Sequence, residues 1–341
     1  MLKRVTIALL CGMLGACGSG TSSTQITGAG STFDNPFFSK AFFEYSNSHP
    51  NVTVNYQSIG SGGGIEQFIQ RTVDFGASDV PMNAAELARA NAAVIQIPVT
   101  LGGEVLSYNV PGVPNGLRLT PKAIAGIYLG KIRRWNDAEL TSLNPSVHLP
   151  NISIVVAHRS EASGTTYIFT DYLASVSAEW KSRVGTGKSV SWPAPASVGG
   201  KGNEGVAGLI RNTPGAIGYI ELAYALENSM AAATLQNRSG QWVACTQPAV
   251  RAAAASKPTV SAKKSFSIVN AAGAQSYPIA GYSWVMVYQK PSDPNRGKLI
   301  KAVLQWLIAN QAQSIAGGLK YVPLPANVQA SASRSLASMQ T

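Results

Sequence analysis

Apolar and polar positions alternate with a period of two from Val52 to Gln57, and directly afterwards Ile65, Phe68 and Ile69 recur at helical spacing. A short apolar run, Asp74 to Ser78, closes this first unit, so the pattern predicts strand, helix, strand. The rhythm continues with strands at Val94 to Pro98 and Glu104 to Asn109, a helix opened by Thr120-Pro121, and an apolar strand from Ile152 to Ala157. A helix follows Ser163, periodic segments follow at Glu204 to Asn212 and Ile217 to Ile220, and Tyr282 to Tyr288 reads as a strand. The helix near Lys298 to Asn310 carries Leu299, Val303, Trp306 and Leu307 on one face. Such alternation predicts an α/β protein with helices on both faces of mostly parallel sheets. The stretch from Ala244 to Lys264 has a weak pattern and reads as surface loop and edge strand, while Ser331 to Thr341 is expected to fray.

The chain has 341 residues, a length that corresponds to about two domains. No run of 18 apolar residues occurs, which excludes a polytopic membrane protein. Lys3 and Arg4 precede the apolar segment Val5 to Leu14, which has the length of a signal-peptide core. It ends in Leu14-Gly15-Ala16-Cys17, which resembles the bacterial lipobox. That resemblance implies cleavage after Ala16 and thioether lipidation of Cys17, with residues 17–24 as a flexible tether to a periplasmic or cell-surface body. With Cys11 and Cys17 in this region, Cys245 is the one cysteine of the body and has no intramolecular partner. The formal charge of +11 invites an anion or nucleic-acid reading, but a net charge does not locate a site, and export argues against nucleic acid.

Three places share one arrangement, in which a strand ends, small residues turn and a helix begins. They are Thr27-Gly-Ala-Gly-Ser-Thr-Phe33, Ile59-Gly-Ser-Gly-Gly-Gly64 and Arg159-Ser-Glu-Ala-Ser-Gly-Thr165. First turns of helices leave backbone N–H groups unpaired and carry partial positive charge, so each turn can cradle an oxyanion. Thr32, Ser61, Ser163 and Thr165 add hydroxyls, and Arg159 adds a planar charged fork. Taken singly, each Ser or Thr also reads as a plain helix cap, and Arg159 with Glu161 as a surface ion pair. Recurrence favours a binding site, since ligands of open α/β sheets sit outside the carboxyl ends of strands.

Asp79 follows Phe75-Gly-Ala-Ser78 at such a strand end. Its carboxylate would repel a fully ionised anion, yet it can accept a hydrogen bond from phosphate, which keeps at least one proton near neutral pH. Sulfate offers no such proton, so an acid in the pocket discriminates against it. The bland reading of Asp79 is a turn or cap ahead of Pro81 to Arg89.

These stretches, with Val73-Asp-Phe-Gly-Ala-Ser-Asp79, Ile127-Tyr-Leu-Gly-Lys-Ile132, Gly199-Gly-Lys-Gly-Asn203 and Pro214-Gly-Ala-Ile-Gly-Tyr219, resemble the phosphate-binding proteins of bacterial phosphate ABC importers, the PstS family. The resemblance implies a two-lobed type II periplasmic binding protein with two mixed, mostly parallel sheets and a ligand cleft between lobes. It puts phosphate contacts on the backbone amides of Thr32 and Phe33, the Thr32 hydroxyl, Ser61, Asp79 as proton acceptor, Arg159, Ser163, Gly164 and Thr165. Glu161 stands where the family commonly has an Asp paired with the arginine. The implied lobes are 25–102 with 280–341, and 103–279, with crossings near Leu101 to Glu104 and Tyr277 to Gly281. The implied partners are inorganic phosphate and the permease subunits of an ABC importer with their ATPase. A monomer with no cofactor and no metal is expected, held to the membrane by its lipid alone.

An enzyme is the rival from another class. The three histidines, His49, His148 and His158, and the absence of a G-x-S-x-G motif give a serine hydrolase little support, and His158 beside Arg159 reads as lining or core. No two histidines or cysteines of the body stand at metal-ligand spacing. Gly185-Thr-Gly-Lys-Ser189 lacks the first glycine of a P-loop, and Gly200 to Gly205 matches a dinucleotide pattern by letters, with no strand expected before it. Two further rivals are compatible with the fold: sulfate, molybdate or a phosphonate as the ligand, and an added adhesive or signalling role at the cell surface.

Overall fold

A computed structural model describes residues 24–262 and 266–341. The lipobox, Cys17 and all of the tether except Thr24 lie outside the described residues; Thr24 is already the first residue of a strand. The strands are β1 (Thr24–Gly30), β2 (Val52–Ser58), β3 (Phe75–Ser78), β4 (Val94–Asn109), β5 (Arg118–Leu119), β6 (Val155–Arg159), β7 (Ser197–Gly200), β8 (Ala216–Glu221), β9 (Ala231–Ala232), β10 (Thr234–Gln236), β11 (Trp242–Val243) and β12 (Ala280–Tyr288). The main sheet runs β2-β1-β3-β12-β4-β8-β6-β7, with β9 also on β4, and a small sheet pairs β11, β10 and β5.

The strand β4 organises the molecule. Its residues up to Gly103 pair antiparallel with β12, and from Glu104 onward the partner is β8. The flanks are parallel, β2-β1-β3 on one side and β8-β6-β7 on the other. The two sheets expected from the sequence are thus joined through one strand of 16 residues, where the pattern predicted two strands. The break in pattern comes from Pro98, which lacks an N–H for the ladder; the register of β12 against β4 shifts there, between Ser283 and Trp284.

Helices cover the faces through apolar stripes. In the helix Asn35–Ser48, Phe37, Phe38, Ala41, Phe42 and Tyr45 are buried, two rows of residues four apart facing the sheet. The helix Gly164–Val176 buries Phe169, which stacks on Tyr219 of β8 at 4.5 Å between ring centres.

Two expectations fail for one reason. Within Ala244 to Lys264 lies a helix, Gln247–Ala255, capped by Thr246 and burying Ala249, Val250, Ala253 and Ala254. Most of Ser331 to Thr341 belongs to the helix Ala326–Ala337, anchored by Val328, Ala332 and Leu336, with Met339 buried beyond its end. Both helices are rich in alanine, whose small apolar area gives a faint periodic signal while its helix propensity is the highest of all residues.

Candidate functional site

The first turn is held by β1 and β3. Gly30 sits at φ +145°, and a Cβ there would lie 2.0 Å from the Ala77 carbonyl oxygen, so only glycine permits this approach. After it, Ser31, Thr32, Phe33 and Asp34 are all buried. Three tyrosine hydroxyls clamp the carbonyls of this turn: Tyr56 donates to Ser31 at 2.7 Å, Tyr224 to Thr32 at 2.5 Å and Tyr321 to Phe33 at 2.6 Å. A trans peptide opposes each C=O to the following N–H, so these clamps fix the direction of the amides as well. The Phe33 amide is itself engaged, donating to Ser31 Oγ at 3.0 Å.

Asp79 stands at the end of β3, 5% exposed. It caps no helix, because Asn83 caps Ala84–Ala90 in a reciprocal box with Glu86. Its Oδ1 accepts from the hydroxyls of Ser31 and, at 2.8 Å, Ser283 of β12. Its Oδ2 has the Ser61 hydroxyl at 3.5 Å, and its backbone N–H donates to Ser61 Oγ at 3.2 Å. Burial pushes the Asp79 carboxyl above its ordinary range, against the pull of the Ser31 and Ser283 hydroxyls, the Arg159 charge and Ser61.

Opposite Asp79, Arg159 ends β6 with its side chain 1% exposed. Nε at 2.9 Å and Nη2 both donate to Glu161 Oε1, while Nη1 donates to Thr165 Oγ1 at 3.0 Å. A guanidinium has five N–H bonds. Glu161 therefore holds the fork from one edge, and its Oε1 also accepts from the Gly202 amide at 3.0 Å. Ser163 is the cap of the helix Gly164–Val176, accepting from the Thr166 amide at 3.1 Å; its hydroxyl hydrogen is not used in that bond. Gly164 is one point where the two groups of residues touch: a Cβ there would lie 2.6 Å from both Asp79 Oδ2 and Ser61 Oγ.

The sequence-predicted residues Thr32, Phe33, Ser61, Asp79, Arg159, Ser163, Gly164 and Thr165 thus converge, with Glu161 behind the arginine. His158 lies outside the cluster, its Nδ1 against the Arg159 carbonyl oxygen at 2.9 Å and its ring stacked on Trp192. The expectation that no strand precedes Gly200 to Gly205 is wrong. Ser197–Gly200 is β7, parallel to β6, and the helix Gly202–Asn212 opens after it. This fourth turn brings Asn203 into the site: its amide at 3.1 Å and its side chain at 2.8 Å both donate to Thr32 Oγ1. Sequence reading missed β7 because Ser-Val-Gly-Gly has no apolar run, although the turn after it has the composition of the other three.

Behind the cluster, Glu104 and Glu221 face each other across β4 and β8, both fully buried. Burial pushes both carboxyls well above the ordinary range. The larger cavities lie elsewhere, one of about 460 Å³ lined by Arg251, Pro258, Leu324 and Val328, and one of about 330 Å³ near Arg211 and Ser229; neither includes a residue of the cluster. Convergence of donors, rather than cavity size, defines the site.

This architecture has known counterparts. Residues 16–311 match the family model of the PBP superfamily domain, and the chain belongs to that superfamily. The phosphate-binding protein PstS of Xylella fastidiosa is 45% identical over 313 residues, covering 90% of this chain and 84% of that one. PstS of Haemophilus influenzae is 43% identical over 308 residues, covering 90% of each. Within the superfamily the chain is therefore a member of the PstS family. Among solved structures, a high affinity periplasmic phosphate-binding protein bound with phosphate (PfluDING) superposes with a TM-score of 0.73 at 22% identity, covering 90% of this chain and 92% of that one. Phosphate binding protein of Stenotrophomonas maltophilia gives 0.70 at 19%, covering 92% and 94%. The fold is that of a two-lobed type II binding protein.

Proposed function

We propose that this protein captures inorganic phosphate between its lobes and delivers it to an ABC importer. The observation that carries the reading is the meeting of an acceptor, Asp79 Oδ2, with Ser61, Gly164, Thr165 and the Arg159 fork. Removing the hydration of a phosphate anion costs several kcal/mol, and hydrogen bonds to a charged group contribute about 1.5–3 kcal/mol each, so many donors are required. Thr32, Ser61, Ser163 and Thr165 offer hydroxyls, the first turn of the helix at Gly164 offers amides, and Asp79 accepts a hydrogen bond from the protonated oxygen of the ligand. No bond is made or broken.

In this reading the lobes are 25–102 with 280–341, and 103–279. The change of partner along β4 between Gly103 and Glu104 supports a hinge there. Contacts across the cleft, such as the Gly62 amide to the Ala162 carbonyl at 2.9 Å and the Lys188–Glu86 ion pair, would open and close with it. Lipidation at Cys17 would hold the body to a membrane at the periplasm or cell surface; among the described residues no helix is long and apolar enough to cross one. Titration calorimetry tests the function: tight 1:1 phosphate binding with little heat from sulfate is expected, and comparable heats from both anions would sink the role given to Asp79.

A further inference from the structure

Asp34 stands at the position before the helix Asn35–Ser48, where an aspartate ordinarily accepts from the first-turn amides, yet its side chain makes no cap bond. The carboxyl turns inward instead and is 0% exposed. Oδ2 meets the hydroxyl of Ser283, and Oδ1 is buried with no hydrogen-bond partner among the described residues.

The hydrogens around Ser283 can be counted. Its Oγ touches Asp34 Oδ2 on one side and Asp79 Oδ1 at 2.8 Å on the other. A serine hydroxyl has one hydrogen to give and lone pairs to accept with. Two ionised carboxylates facing it would leave one oxygen pressed against a lone pair in a buried site. One carboxyl must bring its own proton. Asp79 has the Ser31 hydroxyl, Ser61 and the charge of Arg159 to stabilise its ionised form, whereas among the described residues the one donor to the Asp34 carboxyl is Ser283.

We infer that Asp34 is a neutral positioning residue, whose O–H donates to Ser283 Oγ while the Ser283 hydroxyl donates to Asp79 Oδ1. With Ser31 as second donor, Oδ1 is saturated and the carboxylate is locked with Oδ2 toward Ser61 and Gly164, where the proposed ligand's proton would arrive. The assignment of a ligand to Oδ2 rests on the proposed function; the protonation of Asp34 does not. Burial first, and then the Asp79 charge, push the Asp34 carboxyl well above its ordinary value. The other titratable groups that feel Asp34 are Tyr56 on β2, Glu221 at the end of β8 and Tyr321. Tyr56 and Tyr321 direct their hydroxyl hydrogens to the carbonyls of Ser31 and Phe33, so neither supplies Asp34 with a proton.

Infrared difference spectra of the ligand-free parent against Asp34→Asn, at neutral pH, read the proton directly. The parent should show the carbonyl stretch of a protonated carboxyl that the variant lacks; a difference containing only ionised carboxylate bands overturns the inference. In calorimetry with inorganic phosphate, Asp34→Ala and Ser283→Ala should each weaken binding about tenfold. Asp34→Asn, whose amide can still donate to Ser283, should recover most of that loss. If Asp34→Asn instead tightens phosphate binding tenfold, the parent residue is an anion and the inference fails. If Ser283→Ala binds as the parent does, the positioning role fails. A parent that binds no phosphate would defeat the proposed function, while the infrared result would still decide where the proton sits.

Discussion

The two faces of the residue cluster solve opposite electrostatic problems. On the face built from β1, β3 and β12, Asp34 and Asp79 are buried with hydroxyls as their direct partners. On the face built from β6 and β7, a cation is buried against its own acid, Arg159 with Glu161. The first face can accept a hydrogen bond and the second can donate several. An oxyanion that carries one hydrogen satisfies both, and one that carries none leaves Asp79 facing it with like charge. The bulk charge of +11 predicts none of this, because Arg159 is the one cation in the cluster and it stands beside an acid.

The strongest way to break the comparison is to empty the donor face. Arg159→Ala removes the fork and leaves Glu161 with the Gly202 amide alone. Loss of two charge-assisted bonds to the ligand amounts to about 3–6 kcal/mol, a fall of at least about a hundredfold in phosphate affinity. Calorimetry alongside thermal melting separates this from unfolding. A folded variant within tenfold of the parent would mean that the donor face lies elsewhere.

A smaller effect is expected where the faces meet. Gly164→Ala places a methyl 2.6 Å from Asp79 Oδ2 and Ser61 Oγ, which must move apart or rotate. Overpacking of this kind costs about 1–3 kcal/mol and should appear as weaker phosphate binding. Alanine is at least as good a helix former as glycine, so the melting temperature should hold or rise in the open form. A variant that melts lower and binds normally would place the contact in the folding core instead of the ligand path.

The donor face was the more legible of the two. Arg159, Ser163, Gly164 and Thr165 lie within seven residues, and the recurrence of such a glycine-hydroxyl turn at three strand ends favours a ligand over plain helix caps. Asp79 was readable because an acid looks wrong at an anion site. The support of the acceptor face was not: Ser283 sits inside an unbroken apolar strand, Asp34 has the appearance of a helix cap, and Tyr56, Tyr224 and Tyr321 look like core until their hydroxyls are traced. Their roles depend on contacts between residues as much as 288 positions apart, which no local pattern encodes. The fold followed the same rule, with βα units visible from periodicity and the shared strand β4 hidden by a proline and a pair of glycines.

The gentlest test leaves the ligand out and asks whether the acceptor face stores a proton. For Asp34, whose ordinary value is 3.8, the folded carboxyl titrates at higher pH than the unfolded one. Below 3.8 both states hold the proton and the group contributes its full share to stability. As pH rises above that value the unfolded chain releases its proton while the folded chain keeps it, so stability falls until the folded carboxyl also ionises. Each unit of separation between the two values corresponds to about 1.4 kcal/mol. Asp34→Asn removes this group from the titration, so the melting temperature of the parent, measured against the variant, should decline from pH 4 toward pH 8. Parallel curves would mean that Asp34 ionises in the folded protein much as it does in the unfolded chain, and the contrast between a proton-holding face and a hydrogen-bond-donating one would lose its thermodynamic basis.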